Sequence, residues 1–96
     1  MPSIKHEKVK AIAAARCFEE IAGILDKQYT LQYTRLRNGK SIRLEIYRAE
    51  KKGFCALAYT KTLELNDDIE EALYATWREI VINGLTVADK AIPSIK

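Results

Sequence analysis

Residues 29–47, YTLQYTRLRNGKSIRLEIY, decide the fold, because two runs of strict alternation meet at one turn signal. Tyr29, Leu31 and Tyr33 alternate with Thr30, Gln32 and Thr34, and further on Leu44 and Ile46 alternate with Arg43, Glu45 and Tyr47. A period of two belongs to a strand with one buried face. Between the runs, Asn38-Gly39 suits the positive φ angles of a type I′ hairpin turn. With these two as the loop, Arg37 faces Lys40, Tyr33 faces Leu44 and Leu31 faces Ile46. Every large apolar residue then shares one side, and a one-residue slip would turn them all to solvent, so this register is expected.

Working outward, Glu50-Lys51-Lys52-Gly53 reads as a second turn into a third strand over about Phe54 to Leu63. With those four residues as the loop, Ala49 pairs with Phe54, and Cys55, Leu57 and Tyr59 join the core side. The opposite side then shows Leu36, Arg43, Glu45, Tyr47, Phe54, Ala56 and Ala58, with Thr30, Gln32, Thr34, Ser41 and Thr60. A bulge at Gly53 would reverse the parity of the third strand.

Helices flank the strands. Pro2 and Ser3 mark a start, with Ser3 as N-cap, and a helix is expected to about Lys27. Steps of 100° gather Ala11, Ala14, Cys17, Phe18, Ile21, Ala22 and Leu25 on one face and leave Ile12 on the polar side. Asn66 or Asp67 caps a second helix to about Asn83, with Gly84 at C′ and an apolar stripe of Ile69, Ala72, Leu73, Trp77, Ile80 and Val81. Both helices need the same sheet face. The expected fold is therefore an α+β two-layer sandwich of α-β-β-β-α order, a three-stranded antiparallel sheet with both helices on one side. Residues 85–96 form a tail in which Thr86-Val87-Ala88-Asp89 can start a last helical turn and Pro93 ends regular structure.

The 96 residues are expected to form one domain, since so short a chain closes a single core. Apolar residues at 48% and charged residues at 30% exclude a disordered or fibrous class. The apolar stretch Ala11 to Ala15 is too short for a secretory signal, and the longest uncharged run, Ile80 to Ala88, falls far short of the ~18–20 residues of a bilayer span. A soluble cytoplasmic protein without membrane partners is expected.

Chemistry-bearing motifs are sparse. Cys17 and Cys55 lack CxxC spacing, His6 is the only histidine, and both cysteines are assigned to core faces, so neither a zinc site nor any other cofactor is expected. The four glycines are scattered, which excludes a phosphate loop, and the only histidine, His6, falls in the first turn of a terminal helix while the cysteines are assigned inward, so the chain reads as non-enzymatic. Asp67, Asp68, Glu70 and Glu71 read as acidic residues at the positive end of a helix dipole.

Charge carries the functional expectation. Residues 35–61 hold eight basic against two acidic residues, a net of +6, while residues 62–84 carry one basic against six acidic, a net of −5. Arg35, Arg37, Lys40, Arg43, Lys51 and Lys52 are the candidates to neutralise phosphates, with Tyr47 and Phe54 to stack on unpaired bases. A small binding module for an anionic partner is expected, with nucleic acid the favoured class. The alternative is a protein-interaction or homodimerisation domain using the same sheet face, centred on Tyr47, Phe54, Ala56 and Ala58.

The order helix, three strands, helix is similar to that of the double-stranded RNA-binding domain over about residues 4–84. That family reads RNA through its first helix, the loop between its first two strands and a lysine-rich start to its second helix. Here that start is the acidic Asn66 to Glu71 and that loop is the short Asn38-Gly39 turn. The resemblance therefore implies a topology and transfers no RNA-binding residue.

Overall fold

The computed structural model describes residues 3–87, with side chains from Glu7 onward. In order these form helix α1 (Ser3–Ile24), strands β1 (Tyr29–Arg35), β2 (Ser41–Ala49) and β3 (Cys55–Glu64), and helix α2 (Ile69–Ile82). The strands make one antiparallel sheet in the order β1-β2-β3. Ile42, Leu44 and Ile46 of the central strand are buried together with Ala14, Phe18 and Ile21 of α1 and Ile69, Leu73, Trp77 and Ile80 of α2. Alternation puts those three β2 residues on one face, so both helices pack on that face in a two-layer α+β arrangement. Helix α1 lies along β1, where the Phe18 and Tyr33 rings sit 5.4 Å apart, and α2 lies along β3, where Lys61 reaches Glu79 at 3.7 Å.

The register of the first hairpin agrees with the alternation: Tyr33 pairs with Leu44 and Leu31 with Ile46. Its turn differs from the expected type I′. Only Gly39 (φ 73°) has positive φ there, the Gly39 N–H donates to Leu36 O at 2.9 Å, and the Lys40 N–H donates to Asn38 Oδ1 at 2.8 Å. The loop is therefore the four residues Arg37 to Lys40, closed by the Leu36 N–H donating to Ser41 O at 2.9 Å. A four-residue loop and a two-residue loop centred on the same bond leave identical pairing beyond them, which is why the register survives.

The third strand corrects the expectation. Lys51–Gly53 forms one 3-10 turn, Ala49 pairs with Cys55 instead of Phe54, and the pairing shifts again between Ile46 and Tyr47, leaving Ala58 as an extra, bulged residue. Tyr59, opposite Ile46, keeps its place on the helix side. Cys55 and Leu57, opposite Ala49 and Tyr47, move to the far side, and Ala56 joins Arg48 on the helix side. The parity of the third strand is therefore reversed at the Lys51–Gly53 turn and restored at Ala58.

Both helix ends depart slightly from expectation. Helix α1 stops at Ile24, before Lys27, because the chain turns to pair: Leu25 bridges Thr86 and the Asp26 N–H donates to Leu85 O at 2.9 Å. Ala22, expected in the apolar stripe, is exposed. At α2, Asp68 occupies the N-cap position without a side-chain cap, while Asn66 Oδ1 accepts from the Asp68 N–H at 2.9 Å. Its other end closes as a Schellman motif, with Gly84 at φ 79° donating to Val81 O at 3.0 Å and Leu85 donating to Ile80 O at 3.2 Å. Leu85 is thereby buried against the core. Thr86 forms the bridge and the Val87 N–H donates to Ile24 O at 2.9 Å, so neither enters a helical turn, while Ala88, Asp89 and Pro93 lie outside the described residues.

Candidate binding face of the sheet

Pairing generates three cross-strand rows on the face away from the helices: Thr34-Arg43-Thr62, Gln32-Glu45-Thr60 and Thr30-Tyr47-Leu57. Arg43 is exposed between two threonines, and no carboxylate among the described residues forms an ion pair with it. Gln32 Nε2 donates to Glu45 Oε1 at 3.1 Å, and Thr60 Oγ1 donates to Leu44 O at 3.0 Å. Tyr47 is half-buried beside Leu57, which is 52% exposed. Burial, and then the Glu45 carboxylate next to it, hold the Tyr47 phenol above the usual tyrosine range.

The structure sorts the candidate cations. Arg37 and Lys40 stand exposed in the first turn, Lys51 and Lys52 in the second. Because successive hairpins of an antiparallel sheet close at opposite ends, the nine residues of β2 hold these two pairs about 27 Å apart. Arg35 falls on the helix side opposite Ile42, where its Nη2 donates to Gly39 O at 2.8 Å and braces the turn. Arg48 and Lys61, basic residues of the same stretch, are ion-paired with Glu50 and Glu79. The six candidates for phosphate contact form no ion pair among the described residues.

The two charge blocks of the sequence do not become two separate surfaces. The Leu65 N–H donates to Lys40 O at 2.8 Å, so the acidic start of α2 lies beside the first basic turn, and Lys10 of α1 reaches Asp67 at 3.2 Å. The second turn has only Glu50 near it in sequence, and Arg48 holds that carboxylate at 2.8 Å.

The expected cluster of Tyr47, Phe54, Ala56 and Ala58 is not assembled on one face. Ala56 shares the helix side with Arg48, Phe54 follows it by alternation, and Ala58 is the bulged residue. Leu57 and Cys55 take their place beside Tyr47, a grouping that sequence alternation misses because the bulge leaves no signal in it. Cys17 is half-buried on α1 while Cys55 is exposed on the far face, and both are free thiols. Among the described residues, no group of three or more His, Cys, Asp or Glu side chains could hold a metal ion, and no helix is long and apolar enough to cross a membrane. No protein-family model, curated protein or solved structure matches this chain.

Proposed function

We propose that the chain is a non-catalytic binding module that engages single-stranded nucleic acid along the far face of its sheet. The observation that carries this reading is Arg43, exposed and in no ion pair among the described residues, on the same sheet face as the Tyr47 ring. Arg43 neutralises a phosphate, Tyr47 offers a stacking surface, and Lys51 and Lys52 extend the attraction at one end. Arg37 and Lys40 do so at the other, where the acidic start of α2 weakens them. Glu45, already bonded to Gln32, faces base edges, to which a carboxylate and an amide supply an acceptor and a donor.

Titrating short single-stranded and duplex oligonucleotides at about 50 and about 200 mM salt tests this, because phosphate neutralisation makes affinity fall steeply with salt. Replacing Arg43 and Tyr47 together should remove single-strand binding and leave the fold intact. Absence of binding at the lower salt would defeat the proposal. One observation favours a second reading, protein contact through the same face: the exposure of Leu57 beside Tyr47. Salt-insensitive capture of a protein partner, lost on replacing Leu57, would select it.

A further inference from the structure

The end of the β2-β3 hairpin projects past the helices. No residue from Tyr47 to Thr62 is buried, whereas Ile42, Leu44 and Ile46 on the same β2 strand are. This projecting part nevertheless contains FCALA, residues 54–58, without one charge, and exposes Phe54 at 71% and Leu57 at 52%. An uncharged run of strand-forming residues at a free sheet edge is what folded monomers usually avoid.

The backbone of this run is also available. The Glu50 N–H donates to Phe54 O at 2.6 Å, so even-numbered residues of the run bond inward to β2 and the odd-numbered Cys55 and Leu57 turn their N–H and C=O groups outward. Strand β3 is an outer strand, and no backbone partner for Cys55 or Leu57 on that side is found among the described residues. We propose that a second copy of this chain pairs there, antiparallel, β3 to β3, about a two-fold axis at Ala56, giving one continuous six-stranded sheet.

The register follows from the constraints. Outward groups must meet outward groups, so Cys55 pairs with Leu57 of the second copy, Phe54 with its Ala58, and Ala56 with its own equivalent. The paired segment, 54–58, is centred on the uncharged run and stops at the bulge. A shift toward the tip would draw in the 3-10 turn, and a shift the other way would carry the pairing across Ala58, where the outward pattern breaks. Charge does not set this register: Lys51 comes opposite Lys61 of the second copy, whose charge its own Glu79 offsets at 3.7 Å. The helices do not compete for space. Helix α2 contacts β3 through Glu79 at Tyr59 and Lys61, beyond the paired segment, so the two copies of α2 lie on either side of the axis. Pairing would also place two Arg43 and two Tyr47 side chains on one face, which raises the avidity of any ligand spanning both.

Light scattering and sedimentation across a concentration series should show a dimer, and Leu57→Lys, which adds a charge at an exposed edge position, should return it to a folded monomer whose melting temperature no longer rises with protein concentration. In a Cys17→Ala, Cys55→Ser background, Ala56→Cys should cross-link two chains on exposure to oxidised glutathione, since Ala56 faces its equivalent at a non-hydrogen-bonded position about 4.5 Å away. Thr34→Cys on the opposite edge of the sheet should not. A monomer at every concentration overturns the proposal, as does a dimer that persists with Leu57→Lys and fails to cross-link through Ala56→Cys. A native Cys55 to Cys55 disulfide as the main cross-link would overturn the register. None of these readouts depends on nucleic acid, so failure here and failure of oligonucleotide binding are separable.

Discussion

Tyr59 Oη donates to Glu79 Oε1 at 2.6 Å, tying the middle of β3 to the last turns of α2. The same carboxylate reaches Lys61 at 3.7 Å, so one acidic side chain on the helix holds two neighbours on the strand. A hydrogen bond to a charged acceptor is stronger than a neutral one, and this one is half-buried. Tyr59→Phe should therefore cost about 1–2 kcal/mol in urea unfolding, while the fold is retained. A cost near zero would mean that water replaces the phenol without penalty.

Alkaline pH should destabilise the protein through two groups. Burial pushes the Cys17 thiol up from 9.0 to about 11, with the Glu20 carboxylate adding to the effect. Burial, followed by the bond to Glu79 and its charge, raises Tyr59 above the usual tyrosine range. In both cases the unfolded chain loses its proton first, so above that point it binds fewer protons than the folded chain and stability falls with pH. The contribution of Cys17 is intact below pH 9.0 and drains as pH rises to about 11. Urea midpoints followed over this window should fall less steeply for Cys17→Ala than for the unaltered chain. Equal slopes would remove the thiol from the account.

Trp77 should distinguish volume from polarity. It is 9% exposed, and its Nε1 is buried without a hydrogen-bond partner among the described residues. Trp77→Ala opens a cavity and should cost about 3–5 kcal/mol. Trp77→Phe loses less volume and also removes the unsatisfied donor, whose burial costs about 1–3 kcal/mol, so its net cost should be below about 1.5 kcal/mol. Chemical denaturation of the two variants side by side provides the comparison.

Lys52 holds left-handed backbone, φ 64° and ψ 27°, at the tip of the second hairpin. That region costs a residue with a Cβ about 1–2 kcal/mol, whereas glycine enters it freely and loses only extra chain entropy. Lys52→Gly should raise stability by about 0.5–1 kcal/mol, read as a higher melting temperature. If the same variant binds single-stranded oligonucleotides more weakly, Lys52 supports binding at the expense of stability.

Much of the candidate site was legible residue by residue, yet its assembly was not. The exposure of Arg43 follows from its place between Ile42 and Leu44, and that of Lys51 and Lys52 from a turn rich in charge and glycine. The grouping of Phe54 and Ala56 with Tyr47 failed because one residue of difference at the turn reverses the parity of everything up to Ala58. A second shift at the bulge restores it, so Tyr59 kept its expected side while Leu57 did not.

The sequence by itself determined the two-layer fold and the first hairpin register, because alternation, helical stripes and turn residues act between near neighbours, and each points to the same sheet face. Only the tertiary structure decided where β3 slips past β2 at Ala58, which brings Leu57 and Cys55 beside Tyr47 and leaves Phe54 off that face. Such a slip depends on the twist of the whole sheet and on α2 anchoring Tyr59 and Lys61, and those forces exist only once the layers have packed.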